Sequence, residues 1–178
     1  MAFFILILVR LTIDNRQTGK TTIMKLLPFC LLVISFLPIS AQDEAALRTK
    51  NYNVEKGLAL QGYDPVSYFT GKPLKGNKTY AANYKGIIYW FTNAANLETF
   101  KKAPQNYEPQ YGGWCAYAMG KTGDKVEIDP ETFKIISGKL YVFYNKWLNN
   151  TLDSWNKNEA VLKQQADANW KKINQPTQ

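Results

Sequence analysis

Residues 110–120 read QYGGWCAYAMG and bring together Cys115 and Met119, the side chains best suited to soft-ligand chemistry. On a helix, a four-residue spacing puts both sulfurs on one face. A Cys/Met pair suits Cu(I), although two ligands make a poor cage. Two other readings stand beside ligation. A thiol in the first turn of a helix can be activated by the macrodipole, and a free cysteine commonly serves as a small buried hydrophobe. No C-x-x-C and no histidine accompany Cys115, so redox or acid–base work at the thiol has little around it.

A second constellation is aromatic. Tyr107, Tyr111, Trp114 and Tyr117 cluster beside glycines and prolines, where a groove for a small molecule or a glycan could form. Rings filling the core of a small domain are the competing reading. The carboxylates Asp64, Glu108, Glu127, Asp129 and Glu131 form no persuasive acid/base pair; Asp64 and Asp129 each precede proline and are turn formers first.

The elements that must position these groups follow from patterning. Residues 42–59 are a polar lead-in, helical or loose, and residues 60–175 make one domain. Asp64-Pro65 is a turn signal before a short extended run to Phe69. Strands are expected over 78–84 and 87–92, joined at Lys85-Gly86, and over TFKII and KLYVFYN, joined at Ser137-Gly138. Asn93 is a plausible N-cap for a helix that Pro104 ends. In the tail, Trp147, Leu148, Leu152 and Trp155, then Val161, Leu162 and Ala166, recur at helical spacing, with a break at 156–158. The fold class predicted is α+β: small antiparallel β-hairpins packed with helices and closed by a C-terminal helical segment.

Upstream, MKLLPFCLLVISFLPISAQD opens at Met24 with one lysine, an apolar run and a small-residue exit, the build of a cleavable secretory signal. Residues 1–41 are therefore read as leader, cut after Ala41, and the part before Met24 as a start-site artefact. The apolar run is shorter than the roughly 20 residues of a membrane-spanning helix. DNRQTGKT fails the phosphate-loop pattern because Asp14 stands where the first glycine belongs. Residues 42–178 carry 18 basic and 13 acidic side chains, a net charge of +5, with no basic tract of the nucleic-acid kind. One cysteine remains in that span, which rules out an internal disulfide.

Three blocks in order, GYDPVSYF, YKGIIYWFTNAANLETFKKAPQNYEPQYGGWCAYA and IDPETFKIISGKLYVFYN, resemble the YHS domain, and in particular its secreted bacterial branch. The resemblance runs over about residues 60–172. It implies a periplasmic or secreted binding module, non-enzymatic, that handles a transition metal such as copper. The family's thiols are nevertheless replaced here by Ser67, Thr92 and Asn96. Metal handling would then fall to Cys115 and Met119. The alternatives are a metal-free small-molecule or glycan binder using Tyr107, Tyr111, Trp114 and Tyr117, and a Cys115-dependent enzyme. The partner is accordingly a small ligand or a metal ion, with no nucleic acid and no membrane span after cleavage.

Overall fold

The structure is a computed structural model and describes residues 41–175. The expected leader and its signal segment, Ala41 apart, lie outside the described residues. What is described is a mixed α/β fold: strands gathered in sheets, several helices, and a C-terminal helix.

Helix α1 (Ala41–Asn51) leads into two short strands, β1 (Val54–Glu55) and β2 (Leu58–Ala59). Strands β3 (Asn77–Tyr84) and β4 (Ile87–Phe91) follow, and the four form one sheet in the order β1-β2-β4-β3. β3 and β4 are antiparallel across Lys85-Gly86, whose φ values of 50° and 86° are those of a tight two-residue turn. β2 runs parallel to β4, with Leu58 opposite Ile88.

Asn93 caps α2 (Ala94–Lys102): its side chain accepts from the Asn96 N–H at 2.9 Å. Pro104 ends that helix and opens another, α3 (Pro104–Tyr107), because a proline at the first helical position loses no hydrogen bond. After α4 (Ala116–Lys121), β5 (Asp129–Ile136) and β6 (Lys139–Phe143) pair antiparallel. The short strands β7 (Asn145–Lys146) and β8 (Asn149–Asn150) precede α5 (Thr151–Asn156) and α6 (Glu159–Ile173).

Two apolar clusters result. The first joins Tyr68, Ile87, Tyr89, Phe91 and Phe100 to Leu140 and Val142. The second joins Met119, Tyr141, Phe143, Trp155, Leu162 and Ala166. β6 is buried on both faces and supplies alternate residues to each, as the period of two in a strand requires. α4 meets α6 backbone to backbone at Gly120, where an added Cβ would lie 2.5 Å from the Leu162 carbonyl oxygen.

Two expectations are corrected here. The run to Phe69 is not extended: Ser67–Thr70 form a 3-10 turn. The Ser67 hydroxyl donates to the Asp64 carbonyl (2.7 Å) and accepts from the Leu74 N–H (2.9 Å), which curls the chain back on itself. Trp147 and Leu148 are not helical either. They form the turn between β7 and β8, and the helix starts only at Thr151, where the Asn150 side chain accepts from the Leu152 N–H.

Candidate functional site

Cys115 is the N-cap of α4 and is fully buried, at 0% exposure. Its sulfur accepts from the Tyr144 N–H (3.3 Å) and lies 3.4 Å from the Thr151 hydroxyl oxygen. That hydroxyl donates to the Tyr144 carbonyl at 2.8 Å, so the S–H is left to donate to the hydroxyl oxygen. Met119 is equally buried but belongs to the second cluster, while Cys115 belongs to the first. Among the described residues no three Cys, His, Asp or Glu side chains come together as a metal cage. The expectation of a copper-like site at Cys115 and Met119 is therefore corrected: the two sulfurs pack in separate cores, and each is enclosed by side chains and backbone that offer no third and fourth ligand.

The positions that the resemblance marks as lost thiols do meet. Ser67, Thr92 and Asn96 surround Asp64, which is fully buried. One oxygen of its carboxylate accepts from the Val66 N–H at 2.9 Å. The other accepts from the Thr92 N–H (2.9 Å), the Thr92 hydroxyl (2.8 Å) and the Asn96 amide (2.7 Å). Four donors converge on one buried carboxylate, and burial of a charge is tolerated on that condition. The arrangement ties the Asp64-Pro65 turn to the end of β4 and the start of α2. All four of these donors belong to the protein, which makes the carboxylate a staple in the fold.

The aromatic quartet is distributed between the two cores. Tyr107 makes an edge contact with Phe69, centroids 5.1 Å apart. Tyr111 is buried and its hydroxyl donates to Asp167 at 2.9 Å. The Trp114 indole N–H donates to the Asn51 carbonyl at 2.7 Å. Tyr117 touches both clusters and, of the four, borders a hollow of about 310 Å³ beside Cys115 that also includes Lys121, Tyr144 and Asn149.

Of the other candidate carboxylates, Asp129, Glu131 and Glu108 are engaged by donors of the fold. Asp129 accepts from the Glu131 N–H and the Thr132 hydroxyl, and Glu131 accepts from Tyr63 at 2.9 Å. Glu108 pairs with the Arg48 guanidinium and accepts from the Tyr89 hydroxyl at 2.6 Å. Arg48 also donates to the Tyr52 hydroxyl (2.7 Å) and the Lys85 carbonyl (3.2 Å), and so pins α1 to the β3–β4 turn. Burial, reinforced by the charge of Glu108, pushes the Tyr52 hydroxyl up to about 12 and that of Tyr89 well above its ordinary value.

The largest hollow among those described lies elsewhere, on the sheet. In β4, Ile87, Tyr89 and Phe91 face the core and are fully buried, while Ile88 and Trp90 face the other way and join neither apolar cluster. Leu58 lies opposite Ile88, and Ala81 opposite Trp90, so four apolar side chains pave one face. They line a hollow of about 680 Å³ rimmed by Glu55, Lys56, Lys78 and Asn83. The indole of Trp90 is set against Gly62, where an added Cβ would lie 3.1 Å from the ring and the φ of +81° also favours glycine. An apolar floor with a few polar groups at its edge is the usual build of a ligand site.

Pattern alone gives β4 two apolar faces without marking which of them is left open. IIYWF is apolar at all five positions, which in a strand calls for a cover on both sides; α2 covers one side through Phe100, which packs on Tyr89 and Phe91. The chain matches no family model, no curated protein sequence and no solved structure.

Proposed function

We propose that this chain is an exported, non-enzymatic binding module of YHS type that takes a glycan, or a small molecule of similar amphipathic shape, on the open face of its four-stranded sheet. One observation carries the reading: the outward side of β4, with Trp90 and Ile88, has an apolar floor, and among the described residues no helical side chain lines the hollow above it. A pyranose ring has one face of C–H groups that stacks on an indole, and hydroxyls at its edge that need donors and acceptors. Trp90 offers the first; Asn83, Glu55, Lys56 and Lys78 offer the second. The mixed charges of the rim suit a polyol better than an ion of one sign. The order of the sequence blocks, and strand pairs closed at Lys85-Gly86 and Ser137-Gly138, support the α+β hairpin architecture that goes with the resemblance. The signal-like segment after Met24 supports a site of action in the cell envelope or outside it.

The test is a fluorescence and calorimetric titration with a panel of soluble neutral oligosaccharides. Binding that moves tryptophan emission and is lost in Trp90→Ala, but kept in Trp114→Ala, is the expected result. A panel that leaves the parent protein unmoved, or equal binding by Trp90→Ala, would refute it.

A further inference from the structure

The most exposed apolar side chains in the described chain are Trp147, at 92%, and Leu148, at 108%. They are adjacent and occupy the two positions of a turn closed by the pairs Asn145–Asn150 and Lys146–Asn149. Both have positive φ, 53° and 63°. A turn of this kind selects Asn-Gly, because bulky side chains are strained there. Here a tryptophan and a leucine take both places, and the result is that both point away from the body.

The base beneath them is held firmly. The Thr151 N–H and hydroxyl both donate to the Tyr144 carbonyl, and the Asn145 amide donates to the Thr132 hydroxyl at 3.0 Å. Beside the base lies the hollow lined by Tyr117, Tyr144, Asn149 and Lys121. Between Glu131 and Asp153 the chain carries three lysines and no carboxylate. Lys134 is engaged with Glu159, whereas Lys146 and Lys121 pair with no carboxylate among the described residues. The nearest acids in the chain are Asp153, on the first turn of α5, and Asp124, which accepts from the Thr122 hydroxyl.

We propose that Trp147 and Leu148 form a finger that enters the surface of an anionic lipid bilayer, with Lys146 and Lys121 meeting the headgroup phosphates. Indoles favour the headgroup level of a bilayer, and leucine favours the acyl region just below it. A fluid surface receives a protruding pair without a preformed pocket. The basic flank supplies the charge complementarity that selects anionic lipid. This contact is separate from the sheet groove and stands whether or not that groove takes a glycan.

The experiment is cosedimentation of the full chain with vesicles of phosphatidylcholine, with and without phosphatidylglycerol, against Trp147→Asn/Leu148→Gly. Both chains share residues 1–40, so their difference isolates the finger. The variant installs the pair the turn prefers, so the urea midpoint is held or raised while affinity for the anionic vesicles falls by about tenfold or more. Lys121→Gln and Lys146→Gln each lower binding to the anionic vesicles by about fivefold and leave phosphatidylcholine binding unchanged. Equal vesicle binding by parent and finger variant overturns the proposal. Self-association in the absence of vesicles that disappears in the variant also overturns it, and assigns the finger to a protein interface.

Discussion

Asn96 donates from its side-chain amide to Asp64 across 2.7 Å, and Thr92 reaches the same carboxylate oxygen at 2.8 Å. Two positions where the resemblance calls for thiols thus hold neutral donors, and the group they serve is a buried acid. These hydrogen bonds, with that from the Val66 N–H, cross-link the Asp64-Pro65 turn, β4 and α2.

Asp64→Ala removes the carboxylate that accepts from the Thr92 and Val66 N–H groups, and leaves the buried Val66 N–H and the half-buried Thr92 N–H without that partner. The expected loss of stability is about 3 kcal/mol, read as a lowered midpoint in urea. Thr92→Val, which keeps the backbone donor, lowers it by less. Equal effects of the two substitutions would show that the carboxylate is not the hub.

Alkali tests the buried tyrosines. The Tyr52 hydroxyl is raised to about 12 by burial and then by the charge of Glu108, while its unfolded counterpart ionises at about 10. The folded chain therefore keeps this proton where the unfolded chain has lost it. Stability from Tyr52 is complete below about pH 10 and declines as pH rises through 12. Tyr68, Tyr89 and Tyr111 are shifted the same way, chiefly by burial. An ultraviolet tyrosinate titration should leave part of the signal, that of Tyr68, Tyr89 and Tyr111, undeveloped until the fold opens. A single phase at the ordinary tyrosine value contradicts the burial described.

The thiol of Cys115 gives a third check. Enclosed between Tyr144 and Thr151, it should react with a water-soluble maleimide about a hundredfold more slowly, or slower still, in the native protein than in urea. Fast native labelling would restore the reading of Cys115 as a nucleophile.

Much of this architecture is written locally. Lys85-Gly86 and Ser137-Gly138 close their strand pairs, Asn93 caps α2, and Pro104 separates it from α3, because each is a short-range steric or hydrogen-bonding choice. The break between α5 and α6 likewise falls at residues 157–158. Trp147 and Leu148 were misleading for a physical reason: their spacing to Leu152 and Trp155 mimics a helical stripe, while Asn149 and Asn150 stop the helix from reaching them. The sheet groove was hidden differently. An all-apolar strand such as β4 carries no mark of which face the tertiary packing leaves open, and Trp90 reads like any core ring until α2 is seen to lie on the other side.

β6 is a party wall. Leu140 and Val142 lean into one room and Tyr141 and Phe143 into the other, so neither half of the molecule owns the strand that both require. Heat or denaturant cannot empty one room and leave the other standing. Slippage of this strand by a single residue would exchange the tenants of both, putting two rings where aliphatic chains belong and the reverse, and the antiparallel register from Ile136–Lys139 to Phe133–Val142 holds that exchange off.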